Sequence, residues 1–199
     1  MRTIMITAFT RSWAETLEEV CRTGGGPVTV LAGIPLGDHG MYRRYQAGAM
    51  LMAAVEDEGA FILEDDVDPA WHWQDRFVKE FWPEDHRNVA VAMFVGDFCR
   101  TRCTKIPGSP LERYDHRGFV GNQALWWGAR LADKVSRWLH EYEAQGGELP
   151  VDDAMRLCPH LEGRLLATPV DLFQHKPGPS HFASSRVPFS AGRFTKGKE

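Results

Sequence analysis

Two short, apolar, β-rich runs, residues 3–8 (TIMITA) and 28–31 (VTVL), bracket a stretch of helical periodicity. This opening constrains the chain more than anything that follows it. Ser12-Trp13-Ala14-Glu15 has the spacing of a capping box, with Ser12 as the cap and Glu15 reaching back. Trp13, Leu17, Val20 and Cys21 then fall on one helical face, and Gly24-Gly25-Gly26-Pro27 ends the helix. A β-α-β start requires a parallel strand pair joined by a right-handed crossover. At 199 residues the chain is long enough to build one domain on that unit without cross-links. The expected class is α/β, a mostly parallel sheet flanked by helices in a single domain.

The remaining pattern continues this theme. Residues 33–40 read as a loop. The spacing of Ala47, Leu51, Ala54 and Val55 predicts a helix over 41–58, stopped by Gly59. Phe61-Ile62-Leu63 begins a third strand that runs straight into Glu64-Asp65-Asp66. An aromatic helix is expected around 71–81 and a fourth strand over 89–95 (VAVAMFV). Residues 96–118 lack periodicity and carry Arg100, Arg102, Lys105, Arg113 and Arg117, which suggests a mobile loop or an irregular hairpin. Residues 119–127 are strand-like, 131–144 are helical, and Asp152 or Asp153 is expected to cap a short helix ending at Cys158. Residues 164–167 and 170–173 read as late strands. From Lys176 onward Pro, Gly, Ser and Lys dominate.

Composition narrows the function classes. A formal net charge of −4 opposes a broad basic nucleic-acid surface, though it permits a local one. The four cysteines form no CxxC pair, and Cys99 and Cys103 have no matching Cys/His pair to complete a zinc site. No GxxxxGK[ST] loop is present. Met1 leads directly into a strand, and no apolar stretch reaches membrane-spanning length, so a soluble, cytoplasmic protein without membrane insertion is expected.

The acidic triplet carries the chemistry. In an open α/β sheet, ligands bind beyond the carboxyl ends of the strands. Three adjacent carboxylates placed there repel one another unless a divalent cation gathers them, and such a cation can neutralise a diphosphate. The competing reading is a solvated acidic turn. The buried apolar strand before the triplet favours the first.

Phe61-Ile62-Leu63-Glu64-Asp65-Asp66-Val67 resembles the apolar strand followed by the EDD form of the DXD motif in GT-A-fold glycosyltransferases. It looks most similar to the lipooligosaccharide-type enzymes and the small glycosyltransferase-like proteins of bacteriophages. The resemblance implies a GT-A-like domain over 1–180, with a nucleotide-sugar half over about 1–95 and an acceptor half over 96–180. Residues 181–199 would form a loosely ordered tail. It also implies transfer of a hexose or pentose from a nucleoside diphosphate sugar to a hydroxyl, with Mn2+ or Mg2+ as cofactor.

By the same resemblance, Thr7, Phe9 and Arg11 follow or end the first strand where the nucleotide would sit. Asp38 matches an acidic base-reading position, although a turn aspartate is the alternative. Arg44 or Arg43, in the first turn of the next helix, would reach the diphosphate. Glu64 or Asp65 would hold the ribose or a metal-bound water. Asp66 and His175 would hold the metal, the imidazole favouring Mn2+ over Mg2+. Asp153, with Asp152 as the alternative, would take the acceptor proton, which implies inversion at the anomeric carbon. Residues 176–180 would fold over the diphosphate as a lid. Gly121-Asn122-Gln123 with Trp126 and Trp127 would form the acceptor floor, unless those tryptophans are core. The acceptor is a saccharide on the first likeness and a hydroxymethylated base of phage DNA on the second, for which the basic 96–118 segment would suit phosphates. Two rival readings stand: a nucleotidyltransferase, which would ordinarily carry a Gly-rich, Lys-containing loop not found here, and a non-catalytic carbohydrate-binding module.

Overall fold

The computed structural model describes residues 1–8, 13–34, 37–120, 123–176, 194, 196 and 197. The chain opens as expected, with β1 (Arg2–Ala8), α1 (Ala14–Arg22) and β2 (Val28–Ile34). It continues through α2 (His39–Ala54), β3 (Gly59–Glu64), β4 (Val67–Pro69), α3 (Trp73–Glu80) and β5 (Ala90–Ala92). Then come α4 (Asp97–Arg100), β6 (Cys103–Lys105), β7 (Glu112–Tyr114) and β8 (Ala124–Gly128). The last elements are α5 (Ala129–Ala144), α6 (Val151–Arg156), β9 (Leu165–Ala167) and β10 (Phe173–His175).

Among the described residues one sheet has the order β2-β1-β3-β8-β5-β9-β7-β6, and β4 pairs with β10 in a small second sheet. β2, β3, β5, β6 and β9 run with β1, whereas β7 and β8 run against it. The main sheet is therefore mixed but mostly parallel. Side chains alternate across it. Ile62, Leu125 and Trp127 face a core completed by Met50 of α2 and Val135 and Leu139 of α5. Phe61, Leu63 and Trp126 face a second core with Val20 of α1, Trp73 and Phe77 of α3, and Phe173. Helices thus cover both faces, which is why β3 reads as a continuous apolar run.

Several boundaries differ from expectation. The first helix takes Trp13 as its N-cap with no side-chain cap bond; Ser12 lies outside the described residues. The second begins at His39 because Asp38 accepts a 2.8 Å bond from the Met41 N–H. It stops at Ala54, before Glu56-Asp57-Glu58, whose charges oppose a helix carboxyl terminus. Gly59 belongs to β3 rather than to a helix stop. Its φ is +130°, and a Cβ there would lie 2.1 Å from the Trp127 carbonyl oxygen. α3 starts at Trp73, since His72 adopts a left-handed φ of 54°. Only Ala90–Ala92 of the 89–95 run joins the ladder, because the Val95 N–H turns to the Asp171 carboxylate at 2.7 Å. Residues 96–118 form α4 and the β6–β7 hairpin, which extends the main sheet. The N-cap of α6 is Pro150, so Asp152 and Asp153 sit inside its first turn rather than at the cap. The final strand is shifted to Phe173–His175, where it finds β4. No helix among the described residues is long and apolar enough to cross a membrane.

Candidate functional site

The carboxyl end of β3 lies beside that of β1, with Ile6 opposite Glu64. One residue further on, Thr7 Oγ1 donates to Asp65 Oδ2 at 2.7 Å, and both side chains are buried. From α1, Thr16 Oγ1 donates to the Asp65 carbonyl at 2.6 Å. Asp65 is thereby fixed from two sides. The Glu64 N–H donates to the Gln123 carbonyl at 2.8 Å, which ties the triplet to the segment entering β8. The side-chain Oε1 of Gln123 is buried and has no hydrogen-bond partner among the described residues.

β4 starts immediately after the triplet and pairs antiparallel with β10, His175 standing opposite Val67. Val67 and Phe173 are fully buried, so hydrophobic packing holds this two-stranded unit against the domain. The ladder is prolonged by Lys176, whose N–H donates to the Asp66 carbonyl at 2.7 Å. Lys176 Nζ also reaches Thr16 Oγ1 at 2.6 Å. The result is that His175 Nε2 lies 3.0 Å from Asp66 Oδ2, with the two side chains only 12% and 13% exposed. The two residues expected to share a metal are therefore adjacent in space.

As it stands the 3.0 Å contact is a direct ion pair or hydrogen bond, and the same spacing is compatible with two ligands of a divalent cation. Two donors each about 2.1 Å from an octahedral ion, at right angles, stand about 3 Å apart. A carboxylate with an imidazole is a donor set that suits Mn2+. Among the described residues no group of three or more His, Cys, Asp or Glu gathers in a metal-binding arrangement. A cation here would take at most these two ligands from the described residues, its other positions falling to water or to a ligand's oxygens.

Other candidates fare differently. Phe9 and Arg11 lie outside the described residues, as do Gly121, Asn122 and residues 177–180. Asp38 is exposed and occupied as the α2 N-cap. Arg43 and Arg44 are past the first turn of α2, because the helix begins earlier than expected. Arg43 is buried and donates to the carbonyls of Gly147, Glu148 and Leu149 at 3.1, 3.1 and 2.6 Å, holding the loop before α6. Arg44 is 61% exposed and pairs with Glu143 at 2.8 Å, which raises its pKa. The structure therefore does not bring either arginine to the triplet.

β8 ends opposite Gly59, so α5 starts from the side of the sheet away from the triplet, and the loop between α5 and α6 is held by Arg43 of α2. Asp153 Oδ1 meets Arg156 at 2.6 Å, and Arg156 Nε donates to the Phe119 carbonyl at 2.7 Å. Trp126 and Trp127 are 0% and 1% exposed; they are core and form no acceptor floor.

The basic segment also divides. Arg102, Lys105, Arg113 and Arg117 are exposed, but Arg100 is not. The Arg100 guanidinium, 9% exposed, pairs with Asp171, lies 3.6 Å from Glu112 and donates to the Thr168 carbonyl at 2.6 Å. No periodicity or motif marks Asp171, Thr16 or Lys176 as support for the site. Their partners come from distant parts of the chain, and only the folded packing reveals them.

No protein-family model matches the chain, and no curated protein matches it. Among solved structures, A197 from STIV is similar in fold, with a TM-score of 0.52 and 15% identity over 98% of this chain and 92% of that one. The CTP:phosphocholine cytidylyltransferase LicC from Streptococcus pneumoniae aligns over 87% of this chain and 92% of its own, with a TM-score of 0.48 and 8% identity. The fold is Rossmann-like. Its mostly parallel sheet, covered by helices on both faces, is consistent with the GT-A-like arrangement expected from the sequence.

Proposed function

We propose that this protein is a metal-dependent transferase that moves a sugar from a nucleoside diphosphate sugar to an acceptor hydroxyl. The observation that carries the reading is the 3.0 Å approach of His175 to Asp66 at the carboxyl end of β3, beside an Asp65 anchored by Thr7 and Thr16. A solvated acidic turn would have no need of a largely covered histidine delivered by a separate strand.

In this proposal Asp66 and His175 hold Mn2+ or Mg2+, which when bound supplies positive charge to the departing diphosphate. Thr7 and Thr16 keep Asp65 in one orientation, so that Asp65 or Glu64 can accept hydrogen bonds from the ribose hydroxyls. Asp153 takes the acceptor proton at a carboxylate oxygen, with Asp152 as the alternative base. Arg156, paired to Asp153 and to the Phe119 carbonyl, orients that carboxylate. The acceptor is a saccharide or a hydroxymethylated DNA base. Phe9 and Arg11 remain proposed donor contacts, while Asp38 and Arg44 would need to leave their present partners to join them.

A thermal-shift panel of nucleoside diphosphate sugars and nucleoside triphosphates, with and without Mn2+, tests the proposal. The expected result is stabilisation by one nucleoside diphosphate sugar that depends on metal and disappears in Asp66→Ala and His175→Ala. Stabilisation by a triphosphate alone would favour nucleotidyl transfer. No nucleotide response, with saccharide binding retained, would favour a carbohydrate-binding module.

A further inference from the structure

At the β6–β7 edge of the sheet an open cavity of about 320 Å³ is lined by Arg102, Arg113, Arg117, His116, Asp115 and Glu162, among others. Glu162 precedes β9, so the cavity lies beyond the amino end of that strand. The triplet instead follows the carboxyl end of β3, so the two places belong to opposite edges of the sheet. The geometry points to a second ligand site here, one that binds a phosphate ester, and it does not depend on the donor reading above.

Three features carry the inference. First, none of the three guanidinium groups forms an ion pair with any carboxylate among the described residues, although Asp115 and Glu162 line the same concavity. Arg100, a few residues away in sequence, is paired twice. The arginine that supports the fold is neutralised internally, whereas the three on this cavity are left to find an external anion. Three guanidinium groups against two carboxylates leave the concavity with an excess of positive charge, and a phosphate would engage the unpaired guanidinium groups through charge-assisted, often bidentate hydrogen bonds.

Second, the cationic side chains are presented by a built turn. Asp115 Oδ1 accepts from the Arg117 N–H at 3.1 Å, so this carboxylate caps the 3-10 turn His116–Gly118 instead of neutralising a guanidinium. The Asp115 N–H donates to the Arg102 carbonyl at 3.0 Å. The stem of Arg102 lies directly on Gly118, where an added Cβ would stand 2.9 Å from Arg102 Cγ. Arg113 enters from β7. Third, the volume falls at the small end of ligand pockets and exceeds what a bare phosphate fills. That leaves room for the sugar or polyol the phosphate esterifies. Charges on an edge hairpin also discourage strand-to-strand aggregation. That role accounts for Lys105, but it does not require three arginines to converge on one concavity.

The test is isothermal titration calorimetry in EDTA, so that any metal-dependent diphosphate binding is silent. The probes are inorganic phosphate, ribose 5-phosphate and a short single-stranded oligodeoxynucleotide. Ribose 5-phosphate is expected to bind more tightly than inorganic phosphate, with affinity falling as salt rises. Arg113→Ala and the double variant Arg102→Ala/Arg117→Ala should each weaken binding at least about tenfold while melting like the wild type, because these side chains are exposed. Gly118→Ala keeps every charge but displaces the Arg102 stem, and a several-fold loss is expected. Tighter binding of the oligonucleotide, weakened by the same variants, would identify the ester as a strand backbone; equal affinity would identify a free phosphate ester. Absence of binding by all three probes, or wild-type affinity in the arginine variants, would overturn the site.

Discussion

Asp171 is the position at which one substitution should do most to separate the packing account from its alternatives. It is 1% exposed, and its carboxylate accepts the Val95 N–H at 2.7 Å and meets the Arg100 guanidinium. Asp171→Ala removes both partners at once. Arg100, only 9% exposed, would keep Glu112 at 3.6 Å and the Thr168 carbonyl at 2.6 Å. Breaking a buried ion pair by deleting one member costs about 3–5 kcal/mol, since the remaining charge stays desolvated. The surviving Glu112 interaction pulls toward the lower end, while the stranded Val95 N–H adds about 1–3 kcal/mol. A loss of about 4 kcal/mol is the working value, against a total stability of about 5–15 kcal/mol for a domain. For a chain of this length that corresponds to a Tm lowered by about 10 °C. Urea unfolding followed by tryptophan fluorescence measures it directly. Asp171→Asn should lose less, because an amide oxygen can still accept from Val95. The double variant Arg100→Met/Asp171→Leu should recover much of the loss, as an apolar pair removes the uncompensated charge. The same lesion should reach the site, because Asp171 leads into the strand that carries His175 and Leu172 is bonded to Met93 at 2.9 Å. On the proposed Asp66–His175 metal site, weaker Mn2+ binding is expected alongside the lower Tm. A loss below about 1 kcal/mol in Asp171→Ala, or no recovery in the double variant, would refute the reasoning.

Further expected outcomes concern single, local features. Thr7→Val preserves shape but leaves Asp65 Oδ2 without its buried hydroxyl, costing about 1–2 kcal/mol in urea unfolding and weakening metal-dependent nucleotide stabilisation. Gly59→Ala should cost about 3 kcal/mol or more, since φ is +130° and the new methyl would sit 2.1 Å from the Trp127 oxygen; a wild-type Tm would show that the β3–β8 junction is less tight than described. Burial pushes the Cys158 thiol up to about 11 from its ordinary value of 9.0. The unfolded chain therefore loses this proton first, and stability should fall as pH rises from about 9 to about 11, by at most about 1.4 kcal/mol per pH unit. Cys158→Ala should flatten that part of the stability–pH curve.

Much of this architecture was legible from local pattern. The TIMITA and VTVL runs became β1 and β2, and Phe61-Ile62-Leu63 became the buried centre of β3 because apolar runs of strand length have few other destinations. Boundaries were less legible where a tertiary partner competed with periodicity. Val95 left its strand for Asp171, and the late strand slid to Phe173–His175 to meet β4. The two tryptophans expected near the acceptor are core, since a run buried on both faces carries no mark of which side meets a ligand.

The candidate site divides the same way. Residue order alone determined that three carboxylates would emerge at the end of a buried strand, because chain direction and strand length are local properties. Only the tertiary structure decided that His175 would stand against Asp66, that Thr7 and Thr16 would hold Asp65, and that Arg43, Arg44 and Arg100 would be engaged elsewhere. Those outcomes depend on contacts between segments remote in sequence. Such contacts are set by which faces can be desolvated together, a condition that no local window of the chain contains.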